Sequence, residues 1–150
     1  MAKVHHRKAR KDYLDAGVKK GDMYYYVSIK TGPRSSRIMR QLTPFKPAQL
    51  TSSEYLKAVY GIEESLSHVT DDSDIQEIIM LIEELRDETQ EKFDNMPDGL
   101  QQGDTGQMLE ERIGQCDDSI QELETIISEL GDNDDVDDDL LEQAKNISIG

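Results

Sequence analysis

Tryptophan is absent from this 150-residue chain, aromatic residues make up only 5% of it, and there is a single cysteine, Cys116. One cysteine excludes an intrachain disulfide framework. No run of about 18 apolar residues occurs, so no membrane span is expected. The N-terminus MAKVHHRKARKDY is charged but has no apolar h-region, so it is no secretory signal, and a reducing cytoplasm is the expected compartment. Recognisable chemistry is also missing. There is no glycine-rich phosphate loop, no Ser-His-Asp order, no CxxC and no HExxH. His5, His6 and His68 are the only ordinary general bases, and the many carboxylates fall on expected solvent faces, where nothing shifts their pKa values. The chain therefore reads as a non-enzyme with no cofactor.

With 35% hydrophobic and 33% charged residues, the composition favours a thin helical bundle, whose core is a seam, over a rounded domain with a deep pocket. The charge is unevenly divided. Residues 1–50 hold 12 Lys and Arg against 3 acids, a net of +9; residues 51–150 hold 5 against 29, a net of −24. A chain split in this way is suited to two different partners, or to one half lying on the other.

Residues 1–48 read as a basic arm with a Pro linker. Arg7, Lys8, Arg10, Lys11, Lys19 and Lys20 crowd its first part, and Gly17 and Gly21 break any long helix there. His5-His6 lacks a third histidine, a nearby cysteine or a carboxylate cluster, so it reads as a polar terminus and no metal is expected. MYYYVSIK, Met23 to Lys30, reads as a strand. Thr31-Gly32-Pro33 is a turn signal, and Ser36 to Leu42 can return as a second strand, so this part is either a small β-hairpin or an extended arm. Tyr24 to Tyr26, beside Arg34, Arg37 and Arg40, can stack bases and hold phosphates. The competing reading has the tyrosines covering a helix surface and the arginines solvated.

Residues 49–130 read as an acidic helical bundle. Thr51-Ser52-Ser53-Glu54 is a capping-box start, followed by an apolar face of Tyr55, Val59, Ile62, Leu66 and Val69. A second helix is expected from about Asp74 to Asn95, capped by Ser73. Its first half, with Ile75, Ile78, Ile79, Met80, Leu81, Ile82 and Leu85, is apolar over an arc wide enough for two neighbouring helices. Met96-Pro97-Asp98-Gly99 stops it. The third helix carries Leu109, Ile113, Cys116, Ile120, Leu123, Ile127 and Leu130 at alternating steps of four and three, the seam of a coiled-coil helix. Cys116 lies in that seam as a small apolar filler.

The short connection from Pro97 to Asp104 favours an antiparallel helical hairpin, its tip closed by Phe93, Met96 and Leu100 near Met108 and Leu109. The first helix would then complete a three-helix bundle. Parallel pairing of the same seam in a homodimer is the competing arrangement. Residues 131–150 read as an acidic tail with a short helix around Leu140 to Ala144. Taken from Asp132 as a calcium loop, the run has Asp137 where glycine is required and Gln143 where glutamate is required, so calcium is not expected.

The pieces KARKDYLDAGVKKGDMYYY, QLTSSEYLKAVYGIEE and LRDETQEKFDNMPDGLQQGDTGQMLEERI, over roughly residues 8–30 and 49–113, resemble a family of small uncharacterised bacteriophage-encoded proteins. The chain departs from the family's pattern at Leu14, where proline is common, and at VSIKTGPRSS, where an aromatic-basic run is common. The resemblance implies a phage accessory protein in a bacterial host cytoplasm and carries no catalytic residues.

Two functions are thus expected in competition. In one, the basic aromatic arm contacts nucleic acid while the acidic helices, through Glu110, Asp117 and Glu124, contact a host protein. In the other, the acidic rod imitates a duplex phosphate array and inhibits a host nucleic-acid-binding enzyme.

Overall fold

The computed structural model describes residues 2–131 and 138–150. The chain divides into two compact units, Met1–Tyr60 and Gly61–Gly150. It is mainly helical, with one small antiparallel sheet at the N-terminal end.

That sheet has three strands where two were expected. β1 (Val4–Lys8), β2 (Met23–Gly32) and β3 (Ser35–Gln41) lie in the order β1-β2-β3, all antiparallel. The register sets Val4 opposite Val27 and Arg7 opposite Tyr24, while Tyr26 faces His5 on one side and Arg40 on the other. Residues 4–8 are therefore a strand rather than a free basic arm. Only Val4 among them is apolar, which is why no alternation announces it. Beyond the Val4–Val27 pair, ring stacking of His5 and His6 on the tyrosines of β2 supplies the cross-strand contacts of β1.

Between β1 and β2 the chain makes a tight excursion. Tyr13 and Val18 form an isolated bridge around a single 3-10 turn, Leu14–Ala16. Gly17, at φ 64°, and Gly21, at φ 99°, supply the left-handed backbone that the excursion needs. Ala9, Val18 and Tyr24 are buried in a small cluster, with Tyr13, Ala16 and Tyr26 packed against it.

α1 (Glu54–Leu66) begins in the first unit and ends in the second. The Leu56 N–H donates to the Ser53 hydroxyl at its start, and the expected face of Tyr55, Val59, Ile62, Leu66 and Val69 is buried throughout. α2 (Asp72–Asp94) is capped by Asp71 rather than Ser73, the Asp71 Oδ1 accepting from the Asp74 N–H at 2.9 Å. Asp71 has the extended backbone of a cap residue, whereas Ser73 already lies within the first turn. A short turn of helix, α3 (Asp98–Gln101), then leads into α4 (Asp104–Gly131), and α5 (Asp138–Lys145) follows.

α2 packs along α4, and α3 and α5 also pack on α4. Leu109, Cys116, Ile120 and Leu123 of the expected seam are buried, but Ile113, Ile127 and Leu130 are only half-buried, and Ser119 and Ile126 are buried instead. α4 receives α2, α3 and α5, so its buried face is not a single 3.5-residue seam, and near the C-terminal end it takes in Ile126 rather than Ile127. The tip also differs from expectation. Leu100 is 57% and Met108 40% exposed. The connection is held instead by the Gln101 side-chain amide, which donates to the carbonyls of Phe93 and Met96 at the end of α2.

The wide apolar arc of α2 is only partly used. Ile75, Ile78, Ile79, Ile82 and Leu85 are buried, but Met80 and Leu81 are not. Leu140, Leu141 and Ala144 of α5 and the following Ile149 are buried, and the Ser148 hydroxyl donates to Glu63 at 3.2 Å. Residues 132–137 of the acidic run read above as a calcium loop lie outside the described residues, and Asp138 to Gln143 belong to α5. Among the described residues no helix is long and apolar enough to cross a membrane.

Candidate nucleic-acid interface

Side chains alternate between the two faces of a sheet, and the register decides which basic residues meet which rings. One face carries His5 and Arg7 from β1, Tyr24 and Tyr26 from β2, and Arg40 from β3. The other carries His6 and Lys8, Met23 and Tyr25, and Arg37.

On the first face His5 stacks on Tyr26, with ring centroids 4.8 Å apart and planes 15° from parallel. The Arg7 guanidinium lies 5.4 Å from the centroid of the same ring. Its pKa is raised above the ordinary arginine value, first by a hydrogen bond with Tyr26 and then by the field of Tyr24. Tyr26 meets Tyr24 at 5.9 Å, and Tyr24 meets Tyr13 at 5.5 Å. Arg40 is inserted among these rings, 4.4 Å from the Tyr13 centroid, with Asp15 at 3.8 Å. Lys11 approaches Tyr13 from 5.5 Å. The arrangement is a ladder of rings and cations, each cation held over the negative face of a π-system.

Burial separates the members. Tyr24 is 2% exposed and belongs to the small core, so it has no face to offer a base. Arg40 is largely covered, while His5 and Arg7 are exposed and Tyr26 is half-buried. The accessible members of this face are therefore Arg7, the half-buried Tyr26 and His5, which was not among the expected platform residues. Arg34 projects from the β2–β3 turn, and Arg37 and Lys8 belong to the opposite face. Arg10 is exposed just beyond β1. Lys19 and Lys20 sit in the turn before β2, where their backbone N–H groups donate to Asp22 and Asp12.

His5 is the member that sequence reasoning passed over. His5-His6 looks like a polar terminus until β1 is known to be a strand. Alternation then sends the two rings to opposite faces, His6 onto Tyr25 at 4.3 Å and His5 onto Tyr26. The available signal was a second period of two, His5-x-Arg7, that matches Tyr24-x-Tyr26.

Of the acidic candidates, Glu110 and Glu124 are exposed on α4. Asp117 is half-buried and accepts a hydrogen bond from the Arg86 guanidinium of α2. Among the described residues no group of three or more His, Cys, Asp or Glu is placed to hold a metal ion. Comparison of the chain with family models, with curated proteins and with solved structures finds no match.

Proposed function

We propose that this protein is a non-enzymatic interaction module of the bacteriophage accessory type, acting in the cytoplasm of a bacterial host. Its sheet contacts nucleic acid and its acidic helices contact a protein. The observation that carries this reading is the His5–Tyr26 stack with Arg7 beside it. An unstacked base extends that stack on the exposed side of His5, and Arg7 reaches a flanking phosphate. Within the helical part we propose a three-helix bundle of α1, α2 and α4 around a long antiparallel coiled-coil-like hairpin. Burial of Ile62, Leu66 and Val69, alongside the packing of α2 on α4, supports it.

The test is a titration of fluorescent single-stranded DNA and RNA at increasing salt. Affinity should fall with a log–log slope of roughly −0.7 per phosphate contact. His5→Ala and Arg7→Ala should weaken binding, and replacing Arg7, Arg10 and Lys11 together by Ala should flatten the slope by roughly two units. Lys8→Ala and Arg37→Ala alone, on the opposite face, should have little effect. Wild-type protein that binds neither DNA nor RNA at low salt would end this reading.

The alternative is an acidic decoy that occupies a host enzyme's nucleic-acid channel. The exposed carboxylates of Glu110 and Glu124, one heptad either side of Asp117, favour it. Glu110→Lys with Glu124→Lys abolishes inhibition of a host nucleic-acid enzyme under the decoy reading, and leaves DNA binding intact under the first.

A further inference from the structure

α2 presents apolar side chains where none are needed for its own packing. Met80 and Leu81 are 61% and 44% exposed, although Ile78, Ile79 and Ile82 around them are buried. Single exposed apolar residues are ordinary on a protein surface. This pair differs in its surroundings. Glu77 and Glu84 lie one helical turn before and after it, both exposed. Leu81 also borders a groove of about 370 Å³ lined by Ile78 and Leu81, by Glu64, Asp74 and Glu77, and by Ser65 and His68. Among the described residues no lysine or arginine lines that groove.

The two features together define an occupant. An apolar patch beside three carboxylates, with His68 and Ser65 completing the lining, accepts an apolar anchor whose neighbours, one turn away, are cationic. We infer that this face of α2 docks an amphipathic helix of a protein partner, with an apolar side chain over Leu81 and Met80 and Lys or Arg beside Glu77 and Glu84. The inference rests on the reading that the acidic helices take a protein partner, and it moves the contact from Glu110 and Glu124 of α4 to α2.

The experiment uses the full chain and two synthetic peptides of equal charge, one of Leu and Lys in amphipathic order and one of Ser and Lys. Binding is followed by fluorescence anisotropy, and circular dichroism checks that each variant stays folded. The Leu/Lys peptide should bind at least about tenfold more tightly than the Ser/Lys peptide, the effect of one well-seated apolar anchor. Leu81→Ser and Glu77→Lys should each remove about tenfold, whereas Glu110→Lys with Glu124→Lys should leave this affinity unchanged. Equal affinity for the two peptides would overturn the inference, because charge alone would then account for binding. A loss confined to the Glu110 and Glu124 changes would also overturn it, while leaving the protein-binding reading in place on α4. If neither peptide binds, both fall.

Discussion

Arg86 of α2 reaches across to Asp117 of α4, its Nη1 lying 3.2 Å from Asp117 Oδ1, while Nη2 holds the neighbouring Asp87 at 2.9 Å. The two carboxylates raise the Arg86 pKa above its ordinary value, Asp87 contributing more than Asp117. Arg86 is one of few cations in a strongly acidic unit, and it spends its charge on tying the two longest helices together.

Removing that tie should have a small effect, because both side chains keep access to water. Asp117→Asn is expected to lower stability by about 0.5 kcal/mol in urea unfolding, the ordinary size of a partly exposed pair, and the difference should shrink as salt is added. A loss of several kcal/mol would mean that the pair is far more dehydrated than its 32% and 45% exposures indicate.

The tip between α2 and α4 has no room for a methyl group. Gly106 lies against the backbone of Gln101, whose carbonyl and Cα occupy the space a Cβ would need. Gly106→Ala should therefore force α3 and α4 apart and cost about 1–3 kcal/mol, despite the better helix propensity of alanine. The midpoint of guanidinium unfolding measures it. A midpoint equal to or above that of the wild type would show that the tip yields freely.

The end of α4 separates two adjacent isoleucines. Ile126 is 6% exposed and Ile127 only half-buried. A charge at the first is dehydrated without a partner, so Ile126→Asp should cost several kcal/mol, of the order of a small domain's whole stability. Ile127→Asp should cost clearly less. Leu123→Asp, at a fully buried position, serves as the reference for loss of fold. Thermal melts that rank Ile127→Asp as the worse change would restore the strict heptad seam.

Asp74 supplies a pH dependence whose sign is fixed. Its carboxylate accepts from the Thr70 backbone N–H at 2.9 Å and from the Thr70 hydroxyl at 2.8 Å. These bonds, the backbone one first, hold its pKa below the ordinary carboxylate value. A group with a lowered folded pKa stabilises the fold above its unfolded value and loses that contribution as pH falls through the folded one. Asp74→Asn should therefore lower Tm at neutral pH, and the gap from wild type should close below about pH 4. A gap that is constant across the acid range would assign the loss to something other than the Asp74 charge.

The long helices were legible in the sequence because each bears an apolar period and a recognisable start or stop, whereas the short α3 was read as a connection. Tyr55 to Val69, and Leu109, Cys116, Ile120 and Leu123, needed only spacing to be placed in a buried stripe, since burial of a regular helix face follows from 3.6 residues per turn. The division of charge was also plain from the chain alone, because it depends on composition and not on folding. Three features were decided only by the tertiary structure. Residues 4–8 became a strand because β2 offered both backbone partners and tyrosine rings, and no residue within VHHRK encodes that offer. Ile126 rather than Ile127 is buried near the end of α4 because the elements packed on α4 decide which side is covered, and the helix's own spacing does not record where they arrive. Met80 and Leu81 remained exposed because α2 packs along α4 with only part of its apolar arc, and no count of apolar residues along a helix can tell how many neighbours will arrive to cover them.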